Sequence, residues 1–234
     1  MSTAIILVGG LGTRLRSAVP DLAKPMAPIN GKPFLEYQMD YWIAQGVDHF
    51  VLSVGYRKED IIDHFGKLYK GCQIEYAIEE QPLGTGGGFL KAINLINQNE
   101  SVLVLNGDTF FAVDFDQLKQ YHNLKKSHWT FSLFRSNQAD RYMGMSIGPD
   151  GEVVSHKSGT KELGGLANGG VYLVNPTVIV GTSFKLGDKL SLEDDILSEL
   201  LVQGTRLYGI EFEGQFIDIG LPEDYHRASS ILNT

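Results

Sequence analysis

The 234-residue chain carries 20 Lys and Arg against 28 Asp and Glu, a formal charge of -8, with 43% apolar and 21% charged residues. This is the balance of a soluble globular protein, and it argues against broad nucleic-acid binding, which needs a basic face to displace counterions. The apolar run after Met1 is too short for a signal peptide or a membrane span, and a single cysteine, Cys72, rules out an internal disulfide framework, so a cytoplasmic setting is expected.

Taken in chain order, residues 3–8 form a buried-strand pattern that runs into a glycine-rich loop at 9–14. Residues 34–45 carry Leu35, Met39, Trp42 and Ile43 at helical spacing, so one helix face can pack on a sheet. Strand patterns follow at 50–54, 74–78, 102–105 and 130–134, separated by helical stretches near 59–68, 88–97 and 115–126. Strands alternating with helices imply βαβ crossovers, hence a doubly wound α/β fold with a mainly parallel sheet. The second half is less regular and richer in strands. Gly148-Pro149-Asp150-Gly151 is a hairpin turn between strands at 145–147 and 152–155, and another strand is expected at 171–174. Ser191-Leu192-Glu193-Asp194 resembles a capping box that opens a helix through 201. Strands at 207–212 and 216–219 are expected to pair as a last hairpin, before a terminal helix at 222–232. With no linker or repeat, one domain is expected.

The loop Gly9-Gly10-Leu11-Gly12-Thr13-Arg14-Leu15 suits a polyphosphate, because glycines let backbone N–H groups approach its oxygens and Arg14 adds charge. It is not a dinucleotide fingerprint, since Leu15 stands where the third glycine would be, and it lacks the Gly-Lys-Ser/Thr end of a P-loop. On these residues alone a plain turn remains open. A second glycine cluster, Gln81-Pro82-Leu83-Gly84-Thr85-Gly86-Gly87-Gly88, lies between a strand and a helix. The apolar strand Leu103-Val104-Leu105-Asn106 leads to Gly107-Asp108, and in open α/β sheets ligands gather at such strand ends. Asp108 offers hard oxygen ligands of the kind magnesium prefers, and on its own reads equally well as a turn or cap residue. The six histidines have no paired metal spacing, and no Ser-His-Asp or Cys-His arrangement stands out.

The loop through Leu15, followed by Ala23-Lys24-Pro25-Met26 and Gly31-Lys32-Pro33-Phe34-Leu35, resembles the N-terminal signature of the sugar-1-phosphate nucleotidyltransferase family, with Ala23 where that family usually has proline. The resemblance implies a Rossmann-like fold with a small β-rich sugar-binding part. Residues 1–110 would be the nucleotide half, and 111–234 the sugar half with the C-terminal helix. The substrates it implies are a nucleoside triphosphate and a sugar 1-phosphate. Arg14, Lys24 and Asp108 would be catalytic, with Arg14 on the leaving pyrophosphate and Lys24 on the α-phosphate. Leu7, Gly9, Gly10, Gly12 and Thr13 would bind the nucleotide, and Gln81 and Gly86 would touch its base. Asp108 and Asp218 would ligate Mg2+.

On the sugar side, Asn168-Gly169-Gly170-Val171-Tyr172 and Arg141-Tyr142-Met143-Gly144 are partial matches, implying roles for Gly144, Lys157 and Asn168. The family's glutamate upstream of that element is replaced by His156, and Glu162 is a candidate substitute. Segments 24–29, 31–37 and 82–87 are most similar to short bacterial guanylyltransferases acting on a heptose 1-phosphate, which implies GTP. UTP, dTTP or CTP with a hexose or N-acetylhexosamine 1-phosphate stays an alternative. So does a catalytically silent sensing or scaffold subunit, against which the intact Arg14, Lys24, Asp108 and Asp218 argue. Assembly into a homo-oligomer is left open.

Overall fold

The computed structural model describes residues 2–15, 19–20, 22–98, 100–138, 141–157 and 164–232. Its first half runs β1 (Thr3–Leu7), β2 (Pro28–Ile29), β3 (Lys32–Pro33), α1 (Phe34–Ala44), β4 (His49–Val54), α2 (Lys58–Phe65), β5 (Leu68–Tyr69), β6 (Cys72–Ile78), α3 (Gly84–Ile93) and β7 (Val102–Asn106). Then come β8 (Thr109–Phe111), α4 (Phe115–Lys125), β9 (Trp129–Ser136), β10 (Gly144–Ile147), β11 (Val153–Lys157) and β12 (Gly165–Val174). A π-helical turn at Leu192–Leu197 runs into α5 (Ser198–Val202), followed by β13 (Leu207–Glu211), β14 (Phe216–Asp218) and α6 (Pro222–Ile231).

The centre of the main sheet is parallel, in the order β7-β1-β4-β6. Helices cover both faces at its centre, so β1, β4 and β7 are buried along nearly their whole length, while β6 nearer the edge alternates, with Gln73 and Glu75 exposed. In β1, Ala4 and Ile6 join Leu35, Met39, Trp42 and Ile61 on one face. Ile5 points the other way, toward Phe89, Ile93 and Ile196. The second half extends the same sheet: β12 lies antiparallel to β7 and β9, and carries the β10–β11 hairpin on its edge. The turn at Gly148–Gly151 forms as the sequence predicts, with Gly151 at φ +85°.

Two expectations need correction. The strands at 207–212 and 216–219 do not pair with each other: β13 runs parallel to β9, and β14 pairs antiparallel with β8. Aromatic contacts accompany the pairing of β14 with β8. Phe216 stacks on Phe134 with ring centroids 4.0 Å apart and meets Phe111 edge-on, which fixes β14 beside the turn that carries Asp108. The helix expected from 88 begins at Gly84, because the glycine cluster itself is helical. Its small residues let the segment around Leu190 lie directly on the helix, where Gly86 N–H donates to Leu190 O at 2.9 Å.

His122 on α4 is buried between Ser101 Oγ (3.1 Å from Nε2) and Thr130 Oγ1 (2.8 Å from Nδ1). Burial, with the nearby His128, pulls its pKa from 6.5 down to about 4. The unfolded chain therefore takes up the proton more readily, so stability is full above about pH 6.5 and falls as pH drops toward 4, by on the order of 2–3 kcal/mol. Thermal melts of wild type should lose more between pH 6.5 and 4.5 than melts of His122→Gln. Parallel slopes would contradict this account.

Candidate active site

A cavity of about 480 Å³ opens at the carboxyl ends of the parallel strands, where β1 and β7 hand the chain to loops. Leu7, Gly9, Gly10, Gly12, Thr13 and Arg14 line it, as do Lys24, Asp108 and Gly220. Gly12 holds a left-handed φ of +58°, and a Cβ there would lie 3.1 Å from Lys24 Cβ, so the loop folds tightly over the lysine. Arg14 stands exposed at the rim. Lys24 opens a short 3-10 turn with Pro25 and Met26, and both of those are buried, which anchors its backbone.

Lys24 Nζ donates to Asp108 Oδ2 at 2.6 Å; the lysine side chain is 12% exposed and the aspartate 41%, so Asp108 faces the cavity. Asp218, at the end of β14, joins them. The backbone locks this arrangement: Ile219 N–H donates to Asp108 O at 2.9 Å and Gly220 N–H to Asp218 Oδ1 at 2.6 Å. A Cβ at Gly220 would sit 2.8 Å from Asp218 Oδ1 and 3.1 Å from Lys24 Nζ, so only glycine leaves room for the cluster. Burial and the Asp108 charge push the Asp218 carboxyl above its ordinary value, against the pull of Lys24. A divalent cation would relieve that repulsion. Magnesium commonly takes one or two carboxylates and completes its shell with substrate phosphates and water. The two mutually repelling carboxylates fit that pattern; among the described residues no group of three or more His, Cys, Asp or Glu side chains gathers to hold a metal ion.

The sugar-side candidates Gly144, Lys157 and Asn168 are brought together by three adjacent strands. Gly144 is opposite Lys157 on one side and Ala167 on the other, and Asn168 N–H donates to Met143 O at 2.9 Å. Asn168 is partly committed within the protein, since its Nδ2 donates to Tyr172 Oη at 2.7 Å and its Oδ1 accepts from Gly170 N–H at 3.1 Å. One of its N–H bonds remains for a ligand. Glu162 lies outside the described residues.

Gln81 and Gly86 are not among the cavity-lining residues. Gln81 is exposed, and Gly86 is buried against Leu190 and Ser191, so its glycine character serves packing. On that wall Pro82, Gly84, Thr85 and Gly88 line the cavity instead, with Lys189 from the segment docked on α3.

Several supporting residues are visible only in three dimensions. Glu79 is a buried carboxylate beneath both loops. It accepts from Ser53 Oγ (2.9 Å) and from Leu83 N–H (3.0 Å). Gln38 Nε2 donates to Asn106 O at 2.9 Å and to Thr109 O, clamping the turn that presents Asp108. Asp224 is buried on α6 and pairs with Arg141 and, at 3.2 Å, with Arg227, tying the terminal helix to the Arg141–Gly144 segment. The sequence signal for such partners is only a charged residue inside an apolar pattern, which does not say where its partner lies.

The nucleotidyl transferase family model matches residues 3–234, and the chain belongs to that family. It is 43% identical over 229 residues to D-glycero-alpha-D-manno-heptose 1-phosphate guanylyltransferase of Aneurinibacillus thermoaerophilus, covering 98% of this chain and 97% of that one. It is 40% identical over 224 residues to the enzyme of the same name from Campylobacter jejuni, covering 96% and 97%. Among solved structures, HddC from Yersinia pseudotuberculosis superposes over the full length of both chains with a TM-score of 0.88 at 33% identity, and the same protein complexed with GMP-PN gives 0.84 at 34%. Enzymes of this family generally use a divalent metal. Among the described residues no helix is long and apolar enough to cross a membrane.

Proposed function

We propose that this protein transfers a guanylyl group from GTP to D-glycero-α-D-manno-heptose 1-phosphate, releases pyrophosphate, and works with Mg2+ in the cytoplasm as one catalytic unit built from both halves of the chain. The observation that carries the reading is the Lys24–Asp108–Asp218 cluster at the floor of a cavity walled by the glycine loop. The choice of GTP and heptose is supported by the names of the relatives at 43% and 40% identity.

In the reaction a sugar-phosphate oxygen attacks the α-phosphorus of GTP, forming a P–O bond. The bond from that phosphorus to the β-phosphate bridging oxygen breaks, and its electron pair leaves on pyrophosphate. Little covalent chemistry is asked of the protein, so alignment and charge neutralisation carry the rate. The glycine loop presents N–H groups to the polyphosphate, and Arg14 is suited to grip the departing β- and γ-phosphates with its guanidinium fork. Lys24 sets a positive charge at the α-phosphate, and the adjacent strands that carry Gly144, Lys157 and Asn168 receive the sugar phosphate. Asp108 and Asp218 would hold Mg2+, which would supply charge neutralisation where two anionic substrates must meet.

Arg14→Ala is expected to raise KM for GTP about tenfold or more, to weaken pyrophosphate as substrate of the reverse reaction, and to leave KM for the sugar phosphate nearly unchanged. Initial rates in both directions check this; unaltered GTP and pyrophosphate dependence would remove Arg14 from the phosphate site. The substrate assignment is tested by pyrophosphate release from four nucleoside triphosphates crossed with a panel of sugar 1-phosphates. GTP with the heptose phosphate should give the highest kcat/KM. A preference for another base or for a hexose phosphate would overturn it.

A further inference from the structure

Glu193 stands in the seam between the nucleotide wall and the sugar-side strands. It is the second residue of the π-helical turn Leu192–Leu197 and is half-buried, while Asp194 and Asp195 beside it are exposed. Ser191 fixes the entry to this turn: its Oγ accepts from Asp194 N–H (3.0 Å) and its own N–H donates to Asp195 Oδ2 (2.7 Å). Thr85, a cavity-lining residue of α3, pins the turn from the other side by accepting from Leu192 N–H at 2.9 Å.

The Glu193 carboxylate is poorly supplied with donors. Thr85 Oγ1 reaches Oε2 at 3.3 Å and Ser191 Oγ at 3.5 Å, both long, and its own backbone N–H adds a third. A carboxylate has about four acceptor positions, so capacity remains for a ligand. Burial raises its pKa, and the charges of Asp194 and Asp108 act in the same direction. Its own charge is the foremost one felt by the buried Tyr172 hydroxyl, to which the Asn168 amide is bonded. One turn further along, Ser198 Oγ lies 3.3 Å from His156 Nε2 on β11, so the same helical segment abuts the strand next to Gly144.

Glu193 thus has negative charges within reach, spare acceptor capacity, and the sugar-side strands as neighbours. The complementary ligand is a neutral donor of hydrogen bonds, and a polyol offers several. We infer that Glu193 is a specificity residue for the acceptor sugar, its carboxylate accepting hydrogen bonds from sugar hydroxyls. This rests on the nucleotidyl-transfer reading above.

The test uses the metal-loaded enzyme with wild type, Glu193→Gln and Glu193→Ala, each sugar phosphate being varied at saturating GTP and GTP at saturating sugar phosphate. Both variants should raise KM for the sugar phosphate by about 10- to 100-fold, the scale of a lost hydrogen bond to a charged group, with KM for GTP within about twofold of wild type. A set of monodeoxy sugar phosphates should include at least one that wild type rejects and Glu193→Ala accepts as readily as the parent sugar. Binding of GTP to each variant, followed by calorimetry, keeps folding separate, and Glu193→Gln preserves the shape of the side chain. An unchanged KM for the sugar would overturn the inference, leaving Glu193 as a brace for Thr85. A rise in KM for GTP alone would overturn it in favour of a ribose contact. No turnover by wild type on any substrate pair would instead strike the nucleotidyl-transfer reading, and this inference with it.

Discussion

Asp108→Asn and Asp218→Asn are each expected to lower turnover by about two orders of magnitude or more without unfolding the protein. Each replacement keeps shape and an acceptor oxygen. The amide of Asp218→Asn can still take the Gly220 N–H that Asp218 Oδ1 holds at 2.6 Å, and the amide of Asp108→Asn still offers an oxygen to Lys24. What is lost is one negative charge of the two that would hold the cation, at the place where the substrates' own charges must be offset. The backbone link from Ile219 N–H to Asp108 O does not involve either side chain and should keep both turns in place. Initial rates over a magnesium titration, with a thermal melt of each variant, check this. Near-normal rates from a folded variant would remove that carboxylate from the chemistry.

The second large effect concerns Lys24. Its ammonium bridges toward both acids, hydrogen-bonded to Asp108 and lowering the pKa of Asp218 by its charge. Lys24→Met retains the apolar stem that packs under Gly12 but deletes the charge at the α-phosphate. Removing one preorganised donor from a transition state costs about 10²–10³ in kcat, and that is the expected loss. Metal binding should hold or tighten in Lys24→Met, since a competing cation has gone. Lys24→Arg is not expected to rescue, because the ammonium sits close against Gly220, where an added Cβ would lie 3.1 Å from Nζ, and a guanidinium is wider than an ammonium. Turnover with parallel metal titrations separates the two parts, and a kcat within a few-fold of wild type would contradict the role given to Lys24.

The sequence makes legible those parts of the site that lie within one stretch of chain. A β-branched strand turning into Gly9–Arg14 and an apolar strand ending at Asp108 both carry their meaning locally, because strand pattern and strand end fix where the loop must lie. The hairpin at Gly148–Gly151 is of the same kind. Strand partners are a different matter. β14 pairs with β8 across more than a hundred residues, and Phe216 meets Phe111 of β8 edge-on and stacks on Phe134, contacts that no local pattern encodes.

Acids that are buried or partly buried behave similarly. Glu79, Glu193 and Asp224 read as ordinary polar residues until Ser53, Thr85 and Arg141 arrive from distant elements to meet them. The second glycine cluster is ambiguous for a physical reason as well: glycine permits close approach to a ligand or to another backbone alike, and here Gly84 and Gly88 line the cavity while Gly86 packs on Leu190 and Ser191.

In the proposed reaction a nucleotidyl group, and not a terminal phosphoryl group, moves to the sugar phosphate. Parallel reactions with GTP labelled at the α-phosphate and at the γ-phosphate test it most directly. The account predicts that the α-label appears in the sugar nucleotide and the γ-label in pyrophosphate, in equal amounts and only when the sugar phosphate is present. Transfer of the γ-label to the sugar phosphate, or release of labelled phosphate without it, would contradict the account.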